Sequence, residues 1–175
     1  VEWRKTGCHG EEVGEADIVL FHPQYGVVVF EIKAGQVHIT DGIWFYASGR
    51  SMKQSPFSQA RRNRFALIEK LEKRLGKTTV ENLTITHAVW FPDVRWPKQH
   101  VIAEAPSSQF VFDRNSLTHP LPQLEKMFAE IKQASSPVWT KIQQNALKEL
   151  LAPDCLLLVP LANALDESVT QLHQA

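Results

Sequence analysis

GEADIVLFHPQYGVVVFEIK, residues 14–33, decides how the rest of this chain is read. Ile18–Phe21 and Val27–Ile32 are apolar runs, the second rich in β-branched residues and bounded by Gly26 and Gly35, which are strand signals. The HPQYG between them is a turn, so the two strands are expected to be antiparallel neighbours. Pairing symmetric about Gln24 sets Asp17 opposite Glu31 and Glu15 opposite Lys33. Because strand side chains alternate, Glu31 and Lys33 share one face while Ile32 points to the other, and Glu15 and Asp17 likewise share a face.

Isolated charges are costly inside an apolar β-structure unless they are paired or bind a metal. Hard divalent cations such as Mg²⁺ or Mn²⁺ prefer oxygen ligands and need only one or two carboxylates, with waters and substrate phosphate completing the shell. Asp17 and Glu31 suit that role. Lys33 is placed to position an attacking water or to offset charge developing on a phosphate. Each of these residues taken singly also fits a solvated strand face with surface ion pairs, and the spacing alone does not choose.

Outward from this pair, Val1–Arg4 is a further apolar run. VHITDGIWFY contains two alternating runs split by Asp41-Gly42, a strong hairpin signal. A β-meander over the first third is the resulting expectation. Ser55-Pro56 offers a capping hydroxyl and a proline for the first helical position. Phe65, Leu67, Ile68, Leu71 and Leu75 then recur at helical spacing up to Gly76, which reads as one long amphipathic helix. Ile85–Phe91 returns to strand character, Phe110–Phe112 is a further short strand, and Asp113–Asn115 is a turn. Helices are expected at Leu121–Gln133 and Val138–Leu151, split by Ser135-Ser136-Pro137. An apolar run at Cys155–Leu161 precedes a last helical segment. Strands, a long helix, a returning strand and more helices describe an α/β sandwich.

The chain has 175 residues, 43% hydrophobic and 22% charged, enough for one domain with its own core. A single domain over 1–175 is expected, with core motifs over about 14–70 and a helical part over about 120–175. Nineteen basic residues balance nineteen acidic ones, so any attraction to nucleic acid must come from a local patch. That patch lies between Arg50 and Lys77, where Arg61, Arg62 and Arg64 are suited to phosphate contacts, although a solvated helix face reads the same way. Cys8 and Cys155 lack zinc-ligand spacing and read as reduced thiols. No apolar span or leader is visible, which makes the cytoplasm the expected location. Val1 reads as the interior of a strand, and the chain is therefore expected to be a fragment lacking residues at both ends.

The seven histidines are scattered without metal-ligand spacing and read mostly as surface or turn residues. Trp3, Trp44, Trp90, Trp96 and Trp139 could stack bases, but sit in apolar runs that favour packing. There is no phosphate loop, nucleophile elbow or dinucleotide fingerprint, so an NTPase, a serine hydrolase and a nicotinamide enzyme lack motif support.

GEADIVL, GVVVFEIKAG and SPFSQARRNRFAL together resemble the three motif blocks of NERD (nuclease-related) domains, a branch of the PD-(D/E)XK nuclease superfamily; the likeness covers about residues 14–70. The resemblance implies a restriction-endonuclease-like α/β core, a central mixed β-sheet flanked by helices, and a Mg²⁺-dependent (or Mn²⁺-dependent) deoxyribonuclease. Asp17 and Glu31-Ile32-Lys33 fill the superfamily's acidic and Glu-x-Lys places, while the proline of its name is absent. It further implies the backbone carbonyl of Ile32 as a third metal ligand and Gln59 as a positioning residue on the flanking helix. The acidic residue that many members carry on an earlier helix is missing; Glu11, Glu12 or Glu15 could replace it, Glu15 with the best expected geometry. The downstream sequence resembles proteins in which such a domain precedes a superfamily-one (UvrD-like) helicase in the same chain, with DNA repair or defence against foreign DNA as the setting. Two rival readings stay open: a catalytically silent DNA-binding or regulatory module that presents DNA to a helicase, and a purely structural interaction domain.

Overall fold

Strands Ile18–His22 (β3) and Gly26–Ile32 (β4) form an antiparallel hairpin in the computed structural model, which describes residues 2–7, 10–97, 102–131 and 137–151, with side chains from Ala16 onward. The register runs from Ile18–Phe30 to His22–Gly26, symmetric about Gln24 as expected. Tyr25 N–H donates to the His22 carbonyl at 3.2 Å, closing the turn. Gly26 is required there: its φ is +102°, and a Cβ would lie 2.2 Å from the Thr84 carbonyl oxygen.

Before this hairpin, Glu2–Gly7 (β1) and Gly10–Glu15 (β2) pair with each other. After it, Val37–Thr40 (β5) and Ile43–Tyr46 (β6) form a separate two-stranded sheet. Asp41 and Gly42 join them with φ of 50° and 77°, the positive values that a two-residue hairpin turn needs. The expected continuous meander is thus three separate hairpins. β4 takes its other neighbour from much later in the chain: Ile85–Trp90 (β7) lies parallel to it, and the short Val111–Phe112 (β8) lies parallel to β7. The order β3-β4-β7-β8 makes a mixed central sheet. β4 is apolar on nearly all positions because it is covered on both faces.

Helix α1, Pro56–Leu75, is the crossover between β4 and β7. Ser55 Oγ accepts from Ser58 N–H at 3.0 Å, Pro56 occupies the first turn, and Gly76 (φ 82°) ends the helix. Its buried stripe is Phe57, Ala60, Asn63, Leu67 and Leu71. Phe65 departs from the expected apolar face: it is exposed, with the Arg64 guanidinium 4.8 Å above its ring. A short helix α2, Lys77–Glu81, follows without a break signal in sequence other than Gly76.

Leu121–Ile131 (α3) and Lys141–Leu151 (α4) flank the sheet. α4 begins later than Val138 because Trp139 turns into the core, where its ring meets Phe21 edge-on at 5.1 Å, while its backbone N–H donates to the Pro23 carbonyl at 2.9 Å. Val138 is exposed. Phe110 belongs to a 3-10 turn at Ser108–Phe110 rather than to the strand, and Asp113 caps a second one at Arg114–Ser116. The run Cys155–Leu161 and the last helical segment lie outside the described residues.

Odd-numbered residues of β3, β4 and β7 (Val19, Phe21, Val27, Val29, Ile85) pack on Leu67 and Leu71 of α1 and on Trp139 and Leu147. Even-numbered Val28, Phe30 and Ala88 pack on Phe110, Phe112, Met127 and Phe128. Hairpin β5–β6 is anchored by Trp44, stacked on Phe91 and Trp96. The described tryptophan rings serve packing: Trp44 and Trp139 are buried, and Trp90 and Trp96 are half-buried. Among the described residues no helix is long and apolar enough to cross a membrane.

Candidate active site

At the carboxyl end of β4 the strand's odd face stops being apolar. Val27 and Val29 give way to Glu31 and Lys33, two residues apart and hence on the same face. Lys33 Nζ lies 2.6 Å from Glu31 Oε1, and Asn63 of α1 donates to Glu31 Oε2 at 3.3 Å. Both oxygens of a carboxylate that is only 6% exposed are therefore engaged. Burial nevertheless raises the Glu31 pKa above its ordinary value; the hydrogen bond and charge of Lys33 oppose this, Asp17 adds to it, and Arg62 opposes it.

The β3–β4 ladder ends at Ile18–Phe30, so Asp17 stands just beyond it. Its carboxylate takes the place of the next strand residue: Oδ2 accepts the Ile32 N–H at 2.6 Å. Asp17, Ile32 and Glu31 are thereby held at one end of the sheet, with Asp17 exposed. The Lys33 N–H donates to the Trp90 carbonyl at 2.9 Å, and Gly35 N–H donates to Asp93 Oδ2 at 2.6 Å, which fixes the chain leaving β4 to the end of β7. Open sheets hold ligands outside the carboxyl ends of their parallel strands, and this is such an end.

Glu15 is brought into a different pairing. It is the last residue of β2 and partners Glu2 of β1, and the ladder that would set it opposite Lys33 does not extend that far. Its side chain, like those of Glu11 and Glu12, lies outside the described residues. Gln59 is half-buried and is bonded to none of Asp17, Glu31 and Lys33 among the described residues; it lines a neighbouring pocket with Arg62. The three arginines separate. Arg61 and Arg62 are exposed, whereas Arg64 is half-buried, with Nε shielded and burial lowering its pKa.

Two residues escaped the sequence reading. Asn63 is a polar residue in the middle of an apolar helical stripe, and that interruption is the signal by which it could have been found. His87 sits on β7 beside Val29, buried rather than on the surface as expected. Burial, then Arg64 and Arg61, lower its pKa to about 4, so it is neutral at physiological pH.

The donor set is compatible with a hard divalent cation. Among the described residues no three His, Cys, Asp or Glu side chains form a metal-holding group. One or two carboxylates, however, are what Mg²⁺ takes when waters and phosphate supply the rest, and Asp17 and Glu31 stand together at this strand end. A buried carboxylate whose charged form is disfavoured by burial would also be stabilised by a cation.

A family model described as nuclease-related domain (NERD) matches residues 3–92, which contain every residue of this cluster. Neither a curated protein nor a solved structure matches the chain.

Proposed function

The chain belongs to the nuclease-related domain family, and from that premise we propose that it is a metal-dependent DNA nuclease with a PD-(D/E)XK-type site at the end of β4. The observation that carries this reading is the buried Glu31, held between Lys33 Nζ and Asn63, with the Asp17 carboxylate on the Ile32 N–H beside it. A carboxylate is almost never buried unless it is paired, and a buried ion pair gains little stability over apolar packing, so its presence here points to chemistry.

Asp17, Glu31 and the carbonyl of Ile32 would hold Mg²⁺ or Mn²⁺. A cation held there would supply Lewis-acid chemistry, lowering the pKa of a coordinated water and offsetting charge on the phosphoryl oxygens. Lys33 orients the attacking water and stabilises negative charge as the phosphate becomes five-coordinate. The same ammonium, by pairing with Glu31, opposes the rise that burial imposes on that carboxylate's pKa. Asn63 fixes the second Glu31 oxygen and so sets the direction of the first. Gln59, on the same helix, shapes the wall on which the substrate rests. Arg61 and Arg62 offer exposed charge to flanking phosphates. By its resemblance the domain would act beside a helicase, in DNA repair or in defence against foreign DNA.

The test is incubation of the purified protein with supercoiled plasmid and with single-stranded DNA in Mg²⁺, Mn²⁺ and chelator, beside Lys33→Ala. Cleavage that needs both the metal and Lys33 is expected, with the variant slower by about 10²–10⁴-fold. Equal rates for wild type and Lys33→Ala would sink the mechanism. DNA binding that resists chelator and yields no product in any metal would mark a silent DNA-presenting module instead.

A further inference from the structure

Between β6 and the first turns of α1 lies a pocket of about 490 Å³, lined by Tyr46, Arg50, Ser51, Lys53, Gln54, Gln59 and Arg62, with Met52 at its back. Its construction is defined by backbone bonds. Gly49 N–H donates to the Tyr46 carbonyl, Tyr46 N–H to the Arg50 carbonyl and Met52 N–H to the Trp44 carbonyl, so residues 47–52 are folded back along β6. The Arg50 guanidinium lies 5.1 Å above the Tyr46 ring.

Three cations line this pocket and no carboxylate does. Among the described residues, none of Arg50, Lys53 and Arg62 forms an ion pair with an acidic side chain, in contrast to Lys73 and Lys77 farther along, each salt-bridged to a glutamate. The first turn of α1 also lacks an acidic residue. Cations that form no ion pair around a polar hollow attract an anion. Arg62 ties the pocket to the candidate active site, since it adjoins Asn63 on α1, whose amide donates to Glu31. Tyr46, Ser51, Gln54 and Gln59 add neutral polar groups of the kind that contact sugar and phosphate.

We propose that this pocket seats a backbone phosphate of the DNA strand being cut, a short distance along that strand from the phosphodiester at Asp17, Glu31 and Lys33. The assignment rests on the nuclease reading for the identity of the strand. It extends the binding path away from Arg64, which is half-buried with its guanidinium over the Phe65 ring, to Arg50 and Lys53 on the β6–α1 connection. A phosphate in the pocket would hold the strand taut across the metal ligands and fix the distance between the anchored nucleotide and the cut.

The experiment measures binding of a short fluorescein-labelled oligothymidylate in chelator, where no cleavage interferes, to wild type, to the double variant Arg50→Ala/Lys53→Ala and to Lys73→Ala. Arg50 and Lys53 are exposed, so the double variant keeps the fold, checked by circular dichroism. Its affinity is expected to fall about 10-fold at moderate salt, and the slope of log affinity against log salt to flatten by roughly 0.7, one phosphate contact's worth on a single strand. Lys73→Ala should bind as wild type does. A methylphosphonate oligomer of the same sequence, lacking the backbone charge, should no longer distinguish wild type from the double variant.

Unchanged affinity in the double variant overturns the pocket, and so does an equal loss in Lys73→Ala, which would mean general charge attraction. Persisting discrimination with the methylphosphonate overturns it as a phosphate site. Cleavage assays run in parallel separate the two readings. An Arg50/Lys53-dependent binding defect without any Lys33-dependent cleavage would sink the nuclease mechanism and leave the pocket standing as a strand-binding site.

Discussion

The two faces of the central sheet are built from alternate residues of the same strands, yet only one carries charge. On the α3 side Val28, Phe30, Ala88, Phe112 and Met127 are apolar, and the one buried polar strand residue of that parity, Thr86, is uncharged. On the α1 side Val27, Val29 and Ile85 are equally apolar, but the carboxyl end of β4 brings in Glu31 and Lys33 and the middle of β7 brings in His87, met from the helix by Asn63 and Arg64. One face therefore holds the fold together, and the other shares that task with a polar cluster. The difference teaches that at the carboxyl end of β4, and only there, parity separates a residue whose loss is felt in stability, Phe30, from one whose loss is felt in chemistry, Glu31.

Adjacent substitutions break this comparison most sharply. Phe30→Ala empties an aromatic site between Trp90 and Phe112 and should lower stability by about 3–5 kcal/mol, read from urea midpoints. Glu31→Gln keeps shape and an acceptor for Asn63, so it should cost little stability while slowing cleavage by on the order of 10²-fold or more. If Glu31→Gln unfolds the protein and Phe30→Ala merely slows it, the division of labour is wrong. Gly26→Ala tests the seam between β4 and β7. With a Cβ 2.2 Å from the Thr84 carbonyl and a positive φ, a loss of about 3 kcal/mol or more is expected, in both stability and activity, because the whole strand must shift.

His87 sharpens the comparison through pH. Its folded pKa of about 4 lies below the ordinary 6.5, so the neutral form favours the folded state. That contribution, about 3 kcal/mol, is fully present above pH 6.5 and is lost as pH falls towards 4. Glu31 acts in the opposite sense, since a raised carboxylate pKa adds stability at low pH and loses it as pH rises through the folded value. The difference in stability between wild type and His87→Gln, followed from pH 7 to pH 4, isolates the histidine. A constant difference would show that His87 becomes charged without penalty. The smallest effect is expected from Asn63→Ala, which removes a buried donor from Glu31 Oε2: about 1–3 kcal/mol of stability, with a rise in the pH at which Glu31 ionises, seen as a shifted acidic limb of the rate profile.

Much of this was legible without coordinates. The β3–β4 register followed from one turn, because a hairpin's side-chain parity and partners are local consequences of its loop. The Asp41-Gly42 hairpin and the Ser55-Pro56 start of α1 were legible for the same reason: a turn or a cap is set by a few adjacent residues. Glu2–Gly7 and Gly10–Glu15 were half-seen, since GEEVGE lacks the apolar alternation that marks a strand. The separation of the three hairpins was not visible, as nothing local says whether a hairpin's edge joins the next sheet. Phe65 misled because helical spacing defines a stripe but not which of two overlapping stripes faces the sheet.

By itself, the sequence determined the family match over residues 3–92, the pairing that brings Asp17 towards Glu31, and the parity that sets Glu31 and Lys33 on one face. These depend on neighbours in the chain, whose geometry is fixed by alternation and turn chemistry. Tertiary structure alone decided that β7 lies parallel to β4, that Asn63 reaches Glu31, that His87 is buried neutral, and that Arg50 and Lys53 join Arg62 around one pocket. Each of those joins residues far apart in sequence, and which distant groups meet is set by how the helix and hairpins pack on the sheet, where burial and long-range charge are decided together.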